Sequence, residues 1–102
     1  MSRLFEDDIW ITVLKDSIDS PRDCDTVVSH LKLPDHVIGD YKEKYRGENN
    51  FRIYLEKCLV DWKCRVSGNL KDQLYDILKA SGCHYIIQKL EDEAKKLIQD
   101  DN

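Results

Sequence analysis

Apolar residues along this chain return at intervals of three, four and seven rather than at every second position, the pattern of helices packed on a core. Near the N-terminus Ile9, Trp10, Val13 and Leu14 recur at helical spacing, and Leu4, Ile11 and Ile18 form a second line seven residues apart. A helix over about Asp8–Ile18 that is apolar on two sides belongs near the centre of a bundle. Glu6, Asp7 and Asp8 suit the positive end of its dipole. Next comes Ser20-Pro21-Arg22-Asp23, in which Ser20 caps, Pro21 fills a first helical position that needs no amide hydrogen, and Asp23 sits in the first turn. Cys24, Val27, Val28 and Leu31 form the core stripe of this second helix, which Leu33-Pro34 breaks.

A short third helix starts at Pro34, puts Val37, Ile38, Tyr41 and Tyr45 on one side, and stops near Gly47. Asn49 or Asn50 caps a fourth helix with the strongest periodicity in the chain: Phe51, Leu55, Cys58, Leu59, Trp62 and Val66. After Ser67-Gly68-Asn69, a fifth helix capped by Asn69 carries Leu70, Leu74, Ile77 and Leu78 and is closed by Gly82. The sixth presents Ile86, Ile87, Leu90, Ala94 and Leu97. No alternating run is flanked by Asn-Gly or Asp-Gly turns, so the predicted class is all-α. With Trp62 buried, Leu59, Leu14 and Leu74 are expected to join it in one cluster.

Composition adds boundaries to this picture. The 102 residues suffice for one domain, which buries ~65% of its unfolded surface without help from metals or disulfides. Cys24, Cys58, Cys64 and Cys83 lie among charged, helix-forming residues, unlike the cysteines of a small disulfide scaffold, and read as reduced thiols. Residues Met1–Asp8 lack the features of a secretory leader, and no apolar run approaches the ~20 residues that span a bilayer. The expected location is cytoplasmic, with no membrane insertion.

There is no Cys-x-x-Cys; Cys58 and Cys64 fall on different sides of one helix, and Cys83 adjoins His84 with no second pair near, so no metal is expected. Cys24 and Cys58 read as small core residues and Cys64 as an outward thiol. His30, His36 and His84 have no recognisable partner, the acidic clusters Asp7/Asp8 and Glu91/Asp92/Glu93 fit no catalytic pattern, and no Gly-rich phosphate cradle exists. No catalytic residue, cofactor site or metal site is assigned, and the chain is expected not to be an enzyme.

Charge is segregated. The first 40 residues hold four basic and nine acidic side chains, residues 41 to 79 nine and six, and the remainder three and five. The basic central third, with Lys42, Lys44, Arg46, Arg52, Lys57, Lys63 and Arg65, motivates an alternative function as a small helical nucleic-acid-binding module. Against it stand a net charge of −4 and the interleaved Glu43, Glu48, Glu56 and Asp61. Opposed acidic and basic faces suit protein association better. On the fourth helix Ile53, Val60 and Cys64 fall together with Lys57 opposite the core face, a strip that is either a binding patch or the seat of another helix.

The residues CDTVVSHLKL (Cys24–Leu33), VIGDYKEKY (Val37–Tyr45), CLVDW (Cys58–Trp62) and NLKDQLYDILKASG (Asn69–Gly82) resemble, in order and spacing across about 9–90, the helix patterns of the death-domain superfamily. Val27, Val28, Leu31 and Leu33 fill the family's apolar places; Cys24 stands where an aromatic residue is usual and Lys32 where a glycine is. Asn69 takes the place of a capping Thr. The related CARD and DED modules share the same six-helix bundle and stay open as alternatives, although the charged run of a DED and a clear CARD signature are not seen. The resemblance implies a six-helix antiparallel Greek-key bundle over residues 9–98, with 1–8 a lead-in and 99–102 a frayed tail. It also implies an adaptor module of signalling in apoptosis or innate immunity, assembling with itself or with the death-fold domain of an adaptor, receptor tail or kinase. Carried onto this chain, the basic side of such contacts is Arg52, Lys57 and Lys63 with Ile53 and Val60, and the acidic side is Asp25, Asp35, Asp40 and Glu43.

Overall fold

The computed structural model describes residues 3–45 and 50–100, and all regular structure among them is helical: α1 (Arg3–Glu6), α2 (Ile9–Ser17), α3 (Pro21–Leu31), α4 (Asp35–Lys44), α5 (Phe51–Arg65), α6 (Leu70–Ala80) and α7 (His84–Asp100). None of these helices is long and apolar enough to cross a membrane.

Local chemistry sets the boundaries. Ser20 accepts the Asp23 amide hydrogen through Oγ at 3.2 Å with Pro21 at the first helical position, and Asn69 Oδ1 does the same for Asp72 at 3.0 Å. The Pro34 carbonyl accepts from Val37 and Ile38 at 3.0 and 3.2 Å and so opens α4. At the end of α6, Gly82 has φ 73°, its N–H bonds the Lys79 carbonyl, and the Cys83 N–H reaches back to the Leu78 carbonyl at 2.9 Å. This is the paired closure that a left-handed glycine permits. The Asn50 side chain, at the N-cap position of α5, makes no capping bond; Asn49, Arg46 and the expected stop at Gly47 lie outside the described residues.

Residues 3–6 form a turn of helix, Leu4 is fully buried, and Asp8 at φ 59° breaks the path before α2. The heptad line Leu4, Ile11 and Ile18 is buried throughout, but across two helices rather than one. At the other end α7 continues through Asp100, past the expected fraying at 99; Asp101 and Asn102 lie outside the described residues.

One core joins the helices. α2 packs on α5 and α7, α3 on α5 and α6, α4 on α5, and α6 on α7, with α1 closing over α2 and α7. The expected stripe of α3 is buried whole, and Trp62, 6% exposed, joins Leu59, Leu14 and Leu74 in the core. Trp10 meets Trp62 edge-on at 6.1 Å and 79°, and Phe5 stacks on Trp10 at 6.4 Å. α4 buries no residue completely: Val37, Ile38, Tyr41 and Tyr45 are half-buried, as expected of a helix that touches mainly one neighbour. Tyr85 staples α7 to the α2–α3 connection, its hydroxyl accepting the Asp19 amide hydrogen at 3.1 Å and donating to Asp23 at 2.9 Å.

Candidate interaction surface

Helix α5 touches α2, α3 and α4 and is apolar on two opposite faces. Its inner face buries Tyr54, Leu55, Cys58, Leu59 and Trp62. Its outer face carries Ile53 and Val60, the exposed large hydrophobic side chains among the described residues at 40% and 44%, with Lys57 and Cys64 exposed on the same line. Of the two readings open for that strip, a seat for another helix of this bundle is thereby removed: α5 turns it to solvent.

The charges beside the strip are held within the chain. On the α2 side Lys15 pairs with Glu56 at 3.5 Å, and Lys63 pairs with Asp8 at the start of α2. Toward α4, Asp61 accepts the Tyr41 hydroxyl at 3.0 Å and also pairs with Arg65 one turn along α5. The Arg65 guanidinium, and after it the Tyr41 hydroxyl, hold the Asp61 carboxyl below its ordinary value. Arg52 is half-buried, its Nη1 donating to the Lys15 carbonyl at 2.5 Å near the end of α2 while its guanidinium lies 4.9 Å from the centre of the Phe51 ring.

The residues expected on the basic side therefore divide. Ile53, Lys57 and Val60 are exposed as expected, and Lys57 has no ion-pair partner among the described residues. Arg52 and Lys63, expected to point away from the fold, instead join α5 to α2. The acidic set is exposed, Asp25 on α3 and Asp35, Asp40 and Glu43 on α4. The anchors Asp8, Lys15, Glu56 and Asp61 have no assigned place on this surface in the sequence pattern. Only Asp61 left a local signal, its i,i+4 spacing to Arg65; Asp8 and Lys63 are 55 positions apart and meet only in the folded bundle.

All four cysteines are free. Burial pushes the Cys24 and Cys58 thiols up to about 12 and raises Cys83 as well, while Cys64 is exposed. Among the described residues no group of three His, Cys, Asp or Glu side chains is placed to hold a metal ion. His30 turns Nδ1 to the Thr26 carbonyl at 2.9 Å and the Ser81 hydroxyl at 3.3 Å; His36 and His84 are exposed. An open cleft of about 380 Å³ lies where α3, α5 and α6 meet, lined by His30, Lys32, Asp76 and the edge of Trp62 among others. Compared with models of protein families, with curated proteins and with solved structures, the chain matches none.

Proposed function

We propose that this chain is a non-enzymatic protein-interaction module of the death-domain kind, acting in signalling by homotypic or heterotypic assembly of adaptors, receptors or kinases. In this assignment α2 to α7 are the six helices of a Greek-key bundle and α1 is an added N-terminal turn. The module has no substrate, and its effect is to bring partners into proximity.

The observation that carries the proposal is the outer line of α5, where Ile53 and Val60 stand in solvent beside Lys57, which has no ion-pair partner among the described residues, while Glu56, Asp61, Lys63 and Arg65 are engaged within the chain. Exposed apolar side chains beside a charged one are the kind of surface that binds another protein. Further support comes from Lys32, which takes the place of the family's glycine and has φ 56°, the backbone region that favours glycine. Nucleic-acid binding is weakened as an alternative, because Arg52, Lys63 and Arg65 have partners inside the chain and Lys57 stands between Ile53 and Val60.

Lys57→Glu is the direct test, since it alters the strip without touching an internal pair. Self-association by light scattering, or capture of a death-fold partner, should fall while the helical circular dichroism is unchanged. Where assembly pairs α5 with the acidic side of α4, Asp40→Lys with Glu43→Lys in the other copy should restore part of it. Binding by the folded variant equal to wild type at both low and moderate salt would remove α5 as the surface used, and micromolar, steeply salt-dependent binding to duplex or single-stranded nucleic acid would favour the alternative.

A further inference from the structure

Helix α5 carries a charge pattern that matches itself when a second copy is laid against it in the opposite direction. At 100° per residue, Ile53, Lys57, Val60 and Cys64 lie within a band of about 60°, with Glu56 and Lys63 along one edge and Asp61 along the other. The exposure of the four band residues agrees with this placement. In an antiparallel pair of helices related by a two-fold axis, like edges meet and positions equidistant from the axis face each other. With the axis near the middle of the band, Ile53 faces Cys64 of the second copy and the Lys57 stem crosses Val60 of the second copy.

Both edges then become complementary. Glu56 meets Lys63 of the second copy, and by symmetry Lys63 meets the second copy's Glu56. Since Glu56 already holds Lys15 and Lys63 already holds Asp8, each contact completes an alternating row of four charges, Lys15, Glu56, Lys63 and Asp8. On the other edge Lys57, without an ion-pair partner among the described residues, reaches Asp61 of the second copy, a carboxylate held ionised by Arg65 and Tyr41. A parallel pair in register would instead set Lys57 against Lys57 of the second copy, a like-charge contact that the antiparallel pair avoids.

We propose that two copies of this chain pair through an antiparallel α5–α5 contact about a two-fold axis near residues 58 and 59, a deepening that rests on the reading of the α5 strip as an interaction surface. Three turns of one helix per copy form an interface below ~1,200 Å², so the dimer is weak and transient. It closes on itself and covers Lys57, and so competes with any partner that uses the same strip.

Disulfide trapping tests the register. Within one helix positions 53 and 64 are about 16 Å apart, too far to bridge, and two Cys64 residues across the proposed axis are separated by about the same distance. Ile53→Cys brings the introduced thiol opposite Cys64 of the second copy. Mild oxidation at concentrations up to about 1 mM should convert this variant into a covalent dimer, whereas wild type and Ile53→Cys/Cys64→Ser stay largely monomeric; the buried thiols of Cys24, Cys58 and Cys83 do not compete. Adding Lys57→Glu should slow trapping roughly five-fold, and adding Asp40→Lys with Glu43→Lys should leave it unchanged. Trapping of wild type as fast as of Ile53→Cys, or no trapping of Ile53→Cys, overturns the antiparallel pair. If self-association persists without trapping and is abolished by Asp40→Lys with Glu43→Lys, the pair fails and the broader reading stands. A chain that neither self-associates nor captures a partner overturns both.

Discussion

Lys32 pays a conformational cost that its neighbours impose: α3 must end at Leu31 so that Leu33, 5% exposed, can enter the core and Pro34 can open α4. With φ at 56° a lysine is held where only glycine sits without strain. Lys32→Gly is therefore expected to stabilise the fold by about 0.5–1 kcal/mol, read as a higher denaturant midpoint at unchanged slope; a loss of stability would show that the Lys32 stem contributes packing along the α3–α6 cleft. The cysteines give a second prediction at this scale. Cys64 should react with a thiol reagent in the native state at about the rate of a free thiol, while Cys24, Cys58 and Cys83 wait for unfolding, because burial raises all three. Mass mapping of the modified residues after a short exposure checks it, and early labelling of Cys24 or Cys58 would place an opening between α3 and α5.

Helix α5 shows how two residues that look alike in sequence separate once the elements pack. Arg52 and Lys57 are both cations on the same helix, yet Arg52 bonds a carbonyl near the end of α2, where the last carbonyls lack helical partners, and Lys57 lies in solvent. A hydrogen bond from a charged donor to a partly buried carbonyl contributes about 1.5–3 kcal/mol, so Arg52→Ala should cost about that much in denaturant unfolding and loosen the α2–α5 contact. Lys57→Ala should stay within about 0.5 kcal/mol of wild type. Equal effects of the two would mean that the Arg52 contact is not formed in solution. The contrast also fixes experimental design, since reversing Arg52 would alter folding together with binding.

At the scale of the molecule, the Trp10–Trp62 contact ties α2 to α5 where α1 and α6 also converge on the core. Trp62→Ala should cost about 3–5 kcal/mol, a large share of the ~5–15 kcal/mol that holds a domain of this size. A loss below about 1 kcal/mol would place the indole at the surface. The buried indole N–H of Trp10 has no hydrogen-bond partner among the described residues.

The all-helical class, most helix boundaries and most of the core are legible in the order of the amino acids alone. Those features are written in nearest-neighbour chemistry: Ser20 and Asn69 meet amides three residues on, Gly82 permits a left-handed closure, and Cys24, Val27, Val28 and Leu31 share a face because of the helical period. The same period also places Ile53, Lys57 and Val60 opposite the core of α5. Packing between the helices settles what the local pattern leaves open: this face stays uncovered, Lys63 and Arg52 join α5 to α2, and Leu4 of residues 3–6 enters the core. The physical reason is separation along the chain. Asp8 with Lys63 and Arg52 with Lys15 are 55 and 37 positions apart, and no local period records which helix will lie beside which.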